Sequence, residues 1–421
     1  MRETVLKRVD EVLKLEASAG QLIAAINTWA LGSFKYSVGI VDWSTHQLEQ
    51  LDLSIRRCLA KRRIRGGRGG INYLYLPRKL GGRGLLSVRS IARASYIRLN
   101  NYIDGKLSWL KEAFPTSRVL ENIREAADAA RQSVGGAETG REFATKMHTQ
   151  NLNNLKTLHR AVENAIAKQP EANAELSRNW LSKEQLPPAI ESTYFQIKEE
   201  QVQVRHVLIR RWRVVPPHLV AGRDMCRHCH QEPETLDHIL SACTALSFTN
   251  YLDRHDQVAR QVAKAIVEKF GVEWKAEYWT KAPPKQFVLK RDGKEGRLLW
   301  NPKVKTVDKV EHNHPDLILQ LPEGPTAFIE FTVCRDDSVV ERAKFKEDKY
   351  RLLAEDWAKK HKRHPVVLPI VVGTRGVIPK QTVASLAKLK AWGFDMQVSR
   401  LQKAAVIGSV KAVWKTLKSS G

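Results

Sequence analysis

The run Pro315-Asp316-Leu317-Ile318-Leu319-Gln320-Leu321-Pro322-Glu323-Gly324-Pro325-Thr326-Ala327-Phe328-Ile329-Glu330-Phe331-Thr332-Val333 decides how the C-terminal half folds. Two short apolar strands, 317–321 and 328–333, flank a Pro-Glu-Gly-Pro turn. Downstream, 338–359 reads as a helix and 366–372 as a buried strand. Strand, turn, strand, helix, strand is an α/β pattern with a crossover helix. Asp316 opens the first strand and Glu330 sits inside the second, with 13 residues between them. On strands paired across a tight turn, both carboxylates can emerge at the same edge. Glu330 lies between Ile329 and Phe331, where an unpaired charge is costly. A divalent ion would satisfy it, and two hard oxygen ligands suit Mg²⁺, which takes the rest of its shell from water and phosphate.

The following helix supplies a cation. Val339, Ala343, Lys346, Tyr350, Leu353 and Trp357 form one stripe at spacings of three and four. Lys346 is the one charge on that stripe, and Lys349 lies one turn away. A lysine facing the sheet can steady a hydroxide or a phosphate; the structural alternative is a lysine snorkelling from a helix edge. Upstream, 253–270 reads as a further helix.

Cys226, Cys229, His238 and Cys243 stand as C-x2-C-x8-H-x4-C. The x2 pair makes a knuckle that presents two thiolates to one ion, and three thiolates with one imidazole fill a closed tetrahedral zinc site of the structural kind. Three of the five cysteines fall within these 18 residues. His228 and His230 are left over and are expected to be exposed. Such a site contributes folding energy and a nucleic-acid contact.

Composition points the same way. The 421 residues carry 70 Lys plus Arg against 45 Asp plus Glu, a formal charge of +25. That excess argues against enzymes of acidic or neutral small molecules and for a polyanionic partner. Five cysteines do not make a disulfide scaffold, so a reducing compartment is expected. No signal peptide and no apolar run of membrane-spanning length is read. From Leu53 to Ile103 there are 13 Lys/Arg and no Asp or Glu. Arg56, Arg57, Lys61, Arg62, Arg63, Arg65, Arg68, Arg78, Lys79 and Arg83 fall there, around the glycine clusters Gly66-Gly67-Arg68-Gly69-Gly70 and Gly81-Gly82-Arg83-Gly84. This predicts a salt-sensitive, sequence-blind phosphate surface. Arg210, Arg211 and Arg213 extend it on a basic helix ending before Pro216-Pro217. Residues 1–60 read as helices with a core around Leu48, Leu51, Ile55, Leu59 and the aromatics Trp29, Phe34, Tyr36 and Trp43.

Asp316, Glu330 and a downstream lysine resemble the PD-(D/E)xK nucleases. Many of those carry the lysine two residues after the second acid, where this chain has Thr332, so the role falls to Lys346 or Lys349. That arrangement, behind a zinc knuckle, resembles the non-LTR retrotransposon proteins with a restriction-like endonuclease. Glu234-Thr235-Leu236-Asp237-His238-Ile239-Leu240, the segment Tyr251 to Val258 with Arg254-His255, and Lys346-Glu347-Asp348-Lys349-Tyr350 carry the likeness. Ile26-Asn27-Thr28-Trp29-Ala30, Trp43, Leu51-Asp52, Leu76-Pro77-Arg78-Lys79 and Gly81 to Leu85 resemble that family's reverse-transcriptase thumb. The likeness covers roughly 20–110 and 200–380, and Arg65 to Gly70 departs from it.

The resemblance implies an α+β multidomain chain. It has a basic thumb-like region (1–110), a helical linker (111–200), a basic helix with the CCHC knuckle (201–248), an α/β restriction-like endonuclease (249–380) and a basic helical tail (381–421). It implies Mg²⁺-dependent nicking of double-stranded target DNA in the nucleus, the freed 3′-hydroxyl priming reverse transcription of element RNA. Asp316 and Glu330 would hold Mg²⁺, Lys346 or Lys349 would position the nucleophile, and His255 would orient the site. No small-molecule or membrane partner is implied. No Tyr/Phe-x-Asp-Asp motif is present, so the chain is expected not to polymerise and to be the C-terminal portion of a larger protein or a truncated copy. The competing class is a non-catalytic nucleic-acid-binding protein, a decayed or repurposed copy, which a nicking assay separates.

Overall fold

The computed structural model describes residues 1–65, 70–158, 161–211 and 224–418. The chain is α+β and forms two compact units: residues 1–160 with 185–199, and residues 161–184 with 200–421. The segment read as one linker is thus divided between them. Among the described residues, no helix is long and apolar enough to cross a membrane.

The first unit is helical. Val5, Val9, Leu22, Ile26, Phe34, Leu51, Ile55, Leu59 and Val88 share one buried core. The aromatic stretch divides: Phe34 is buried and stacks edge-on against Trp43, but Trp29 and Tyr36 are exposed. They fall on the outer side of their helical turns, where Arg8 lies over the Trp29 ring. Two side chains named in the thumb resemblance fasten the turn before helix Val88–Lys106. Asn27 donates to the Gly84 carbonyl and accepts from the Leu86 amide. Asp52 accepts from Ser87 Oγ and the Val88 and Arg89 amides, closing the helix start. Gly82 is fixed by space, because a Cβ there would lie 2.0 Å from the Leu76 carbonyl oxygen.

The second unit is built on a mixed five-stranded sheet in the order β1-β2-β3-β4-β5: Gln286–Arg291, Lys294–Trp300, Leu317–Gln320, Thr326–Cys334 and Val366–Gly373. The first four strands pair antiparallel; β4 and β5 are parallel, joined through the helical crossover. That crossover is two helices, Val339–Lys349 and Arg351–His361, breaking at Tyr350, where the sequence reads as one. The β1–β2 hairpin lies outside the strands read from sequence. Its turn is Asp292-Gly293, both at positive φ, which is hairpin chemistry.

Both sheet faces are covered, as the apolar strands require. On one face Leu317, Ile329, Phe331 and Ile370 meet Val258, Val262 and Ile266 of helix Leu252–Glu268. Leu401, Ala404 and Ala405 of helix Val398–Lys418 join this core, so the basic tail is part of the unit. On the other face Ile318 and Phe328 meet Tyr350, Leu353 and Trp357 of the crossover.

Candidate functional site

Strand periodicity brings the carboxylates together. The β3–β4 register pairs Leu317 with Ile329, which sets Asp316 opposite Glu330. Side chains two apart share a face. Glu330 therefore faces the crossover with Phe328, and the Lys346 end of helix Val339–Lys349 meets it there. Lys346 Nζ lies 2.9 Å from Glu330 Oε2 and 3.5 Å from Asp316 Oδ2. The Asp316 amide donates to Glu330 Oε1 at 3.0 Å, and the Phe331 amide donates to Asp316 Oδ2 at 2.8 Å. His255, in the first turn of helix Leu252–Glu268, reaches Asp316 Oδ2 with Nε2 at 3.2 Å. Its Nδ1 lies 3.1 Å from Asp256.

Glu330 is wholly buried, while 19% of the Asp316 side chain and 15% of that of Lys346 remain exposed. Burial, reinforced by the charge of Asp316, pushes the Glu330 carboxyl up to about 7 against the pull of Lys346. Burial also works to raise Asp316, but His255, Lys346 and the Phe331 amide hold it well below the usual carboxylate range. Burial disfavours the charged imidazole of His255, yet Asp256 and Asp316 lift it to about 9, so it is an imidazolium at neutral pH. Lys346 is likewise raised, its burial outweighed by the two acids. One open edge and two acids held by two cations make a cluster of opposed charges whose carboxyl groups are pushed in opposite directions.

Lys349 does not join this cluster. Its ammonium lies 5.1 Å from the Tyr350 ring centroid, so of the two candidate lysines Lys346 meets the acids. Asp256 is a residue the sequence reading missed; its adjacency to His255 was the available signal. Asp316 and Glu330 fit a divalent cation by their chemistry: both are hard oxygen donors, and the hydrogen bonds of the Asp316 carboxylate among the described residues fall on Oδ2, leaving Oδ1.

Cys226, Cys229, His238 and Cys243 also converge. Their ligand atoms lie within 4.8 Å of one another and could hold a metal such as zinc. Cys226 Sγ and Cys243 Sγ are 3.8 Å apart, and Cys229 Sγ is 3.3 Å from His238 Nε2. Zn–S bonds of about 2.3 Å at tetrahedral angles place sulfurs about 3.8 Å apart, so the donor set fits. Burial pushes the Cys243 thiol up to about 12, so metal binding releases its proton. His228 is half-buried with Nε2 3.0 Å from Thr416 Oγ1, which corrects the expectation of exposure; His230 is exposed.

The Cys/His loop is tied to helix Leu252–Glu268. Tyr251 Oη lies 2.8 Å from the Ile239 carbonyl and accepts from the Cys243 amide at 3.1 Å. Buried Arg254 donates to the Leu240 carbonyl at 2.7 Å. Arg375 joins Asp237 at 2.7 Å and buried Asp336 at 3.3 Å. The residue pair Tyr251 and Arg254 thus fixes the turn that carries His255.

The expected phosphate surface contracts. Arg83 is buried, bonded to the Ile64 carbonyl, with its guanidinium 4.2 Å from the Phe195 ring centroid. Arg78 forks onto wholly buried Glu191 at 3.0 and 3.1 Å. Both are structural, because each guanidinium satisfies buried acceptors, and the glycines of 81–84 make a tight internal turn. Arg56 donates to Tyr75 Oη at 3.0 Å, and Arg62 pairs with Asp10 at 3.2 Å. Arg57, Lys61, Arg63 and Lys79 are exposed, and Arg65 is half-buried. Arg210 is 3.5 Å from Asp224, and Arg211 ends the π-helical turn Val207–Arg211. Arg68 and Arg213 lie outside the described residues. No protein-family model matches the chain, and no curated protein matches it.

Proposed function

We propose that this chain is the C-terminal portion of a non-LTR retrotransposon reverse transcriptase/endonuclease, and that its second unit is a magnesium-dependent nuclease that nicks target DNA. The meeting of Asp316, Glu330, Lys346 and His255 at one sheet edge carries the reading.

Asp316 and Glu330 would hold Mg²⁺, which when bound stabilises charge on the phosphate and acidifies a water. Asp316 offers Oδ1 while its Oδ2 is held by the Phe331 amide and His255. Glu330, buried and anchored through the Asp316 amide, keeps the second carboxylate rigid. Lys346 keeps its proton and donates to a phosphate oxygen or to the attacking hydroxide. His255, charged and braced by Asp256, orients Asp316. Water displaces the 3′ oxygen of the scissile phosphodiester; that oxygen leaves with a proton, and the new end is a 3′-hydroxyl able to prime synthesis. The four-residue knuckle is read as a structural zinc site, and Arg57, Lys61, Arg63 and Lys79 as phosphate contacts for DNA or RNA.

Nicking of supercoiled plasmid tests this. The wild-type chain converts it to open circle with Mg²⁺ and not without, whereas Asp316→Ala binds the plasmid and leaves it intact. Equal nicking by Asp316→Ala, or binding without any nicking by the wild type, rejects the nuclease; the latter leaves the non-catalytic binder.

A further inference from the structure

The first unit contains a slot of about 410 Å³ lined by helices Leu31–Ser37, Val88–Lys106 and Gly140–Thr157. That volume is within the range of small-molecule sites. Its floor is apolar, with Leu31, Ile91, Phe143 and Met147. Lys35, Arg98 and His148 are its basic groups, and no Asp or Glu lines it. Gly140 sets its width, since a Cβ there would lie 2.6 Å from the Ala94 carbonyl oxygen.

Among the slot's polar side chains that make no hydrogen bond with the described residues are His148 and Asn151. His148 and Asn151 stand three apart on one helix, hence on one face, and both line the slot. Burial and the nearby Lys79 lower the His148 pKa, leaving a neutral ring with one donor and one acceptor. The slot opens into a cleft of about 650 Å³, with which it shares Tyr75, Met147 and Asn151. Arg56, Arg89 and Arg93 line that cleft; of its two acids, Asp52 is consumed by three internal hydrogen bonds and Glu49 pairs with Arg89 at 2.8 Å, which leaves Arg56 and Arg93 as the excess charge.

We propose that this slot takes one unstacked base of a single-stranded nucleic acid, with the neighbouring phosphate in the arginine-lined cleft. It rests on the reading of the chain as a nucleic-acid protein. A base needs an apolar floor, an aromatic wall such as Tyr75, and edge partners that both donate and accept; His148 and Asn151 supply the last. A polyanionic strand also accounts for cations on both the slot and the cleft. A lone anionic amphiphile would use the slot and place no charge beside Arg56 and Arg93.

The test uses the full chain and single-stranded oligonucleotides, DNA and RNA, carrying one 2-aminopurine, whose emission rises on unstacking. Binding by wild type is expected to raise emission and anisotropy together. Ala144→Trp, which fills the slot, is expected to abolish the emission rise and weaken binding about tenfold, with the salt dependence unchanged because phosphate contacts persist. His148→Ala breaks no internal bond and serves as the second variant, with a smaller loss of the same kind. A stronger response with RNA or with DNA identifies the strand and supports the slot. Salt-sensitive binding with no emission rise, or with full affinity in both variants, overturns the slot while leaving the nucleic-acid reading intact. No oligonucleotide binding at all overturns that reading too. Displacement of a fluorescent fatty acid from the slot, with no effect of oligonucleotide, assigns an amphiphile instead and rejects the proposal.

Discussion

Replacing Lys346 with Met removes the cation between two acids and keeps the length of the side chain. Its ammonium is 2.9 Å from Glu330 and 3.5 Å from Asp316, with 15% of the side chain exposed. Removing one partner of such a buried pair costs about 3–5 kcal/mol, because the remaining charge has no counter-ion. Glu330 can escape part of that cost by taking a proton. Its folded pKa of about 7 stands above the ordinary carboxyl value of 4.5, so folding is favoured at low pH and this contribution is lost as pH rises through 7. Between pH 6 and 8 the wild type loses roughly one pH unit's worth, about 1.4 kcal/mol. Without Lys346 the proton is held more tightly and the loss runs through both units. The K346M penalty is therefore expected to be about 1.4 kcal/mol larger at pH 8 than at pH 6. Hydrogen exchange of the β3 and β4 amides, read in urea at the two pH values, isolates this unit. Mg²⁺ is expected to restore more stability to the variant than to wild type, since no ammonium competes with it. A penalty under 1 kcal/mol at both pH values, or one that Mg²⁺ leaves unchanged, refutes Lys346 as the counter-ion.

The other expectations concern separate parts of the chain. Mg²⁺ binding measured by calorimetry is expected to weaken as pH falls below 7, because the cation must displace the Glu330 proton; affinity independent of pH from 5 to 8 would count against the pair as ligands. Glu191→Ala strands Arg78 and is expected to destabilise the first unit by about 3–5 kcal/mol, seen as early loss of exchange protection. Lys79→Ala is instead expected to lower the salt slope of nucleic-acid binding by about one with stability unchanged; the opposite pattern would reverse the two assignments. Chelation is expected to release about one zinc per chain and to expose the amides of the Tyr251–His255 turn before those of the sheet, because the metal loop holds that turn. Simultaneous exposure of both would uncouple the knuckle from His255.

Much of the second unit is legible in the sequence because strand and helix periods are local. The strands around Asp316 and Glu330 and the stripe from Val339 to Trp357 follow from spacing alone, and their meeting follows from register. The β1–β2 hairpin is equally local, signalled by Asp292-Gly293, but Lys290, Arg291, Lys294, Glu295 and Arg297 interrupt the apolar pattern of its strands. The break at Tyr350 has no glycine or proline to announce it. The fate of Arg78 was not legible, since Glu191 lies 113 positions away and a buried fork looks in sequence like any surface arginine. Arg83 is hidden for the same reason, and the division of 111–200 between two units depends on packing that spacing does not encode. Tail residues 398–418 read as basic and amphipathic, yet their apolar stripe closes the sheet core.

Anomalous diffraction from crystals of the chain soaked in Mn²⁺ tests the shared cation most directly. A peak about 2.1 Å from a carboxylate oxygen of both Asp316 and Glu330, lost in Glu330→Gln, is the expected result. A peak elsewhere, or none at this sheet edge with Lys346 still seated between the two acids, contradicts it.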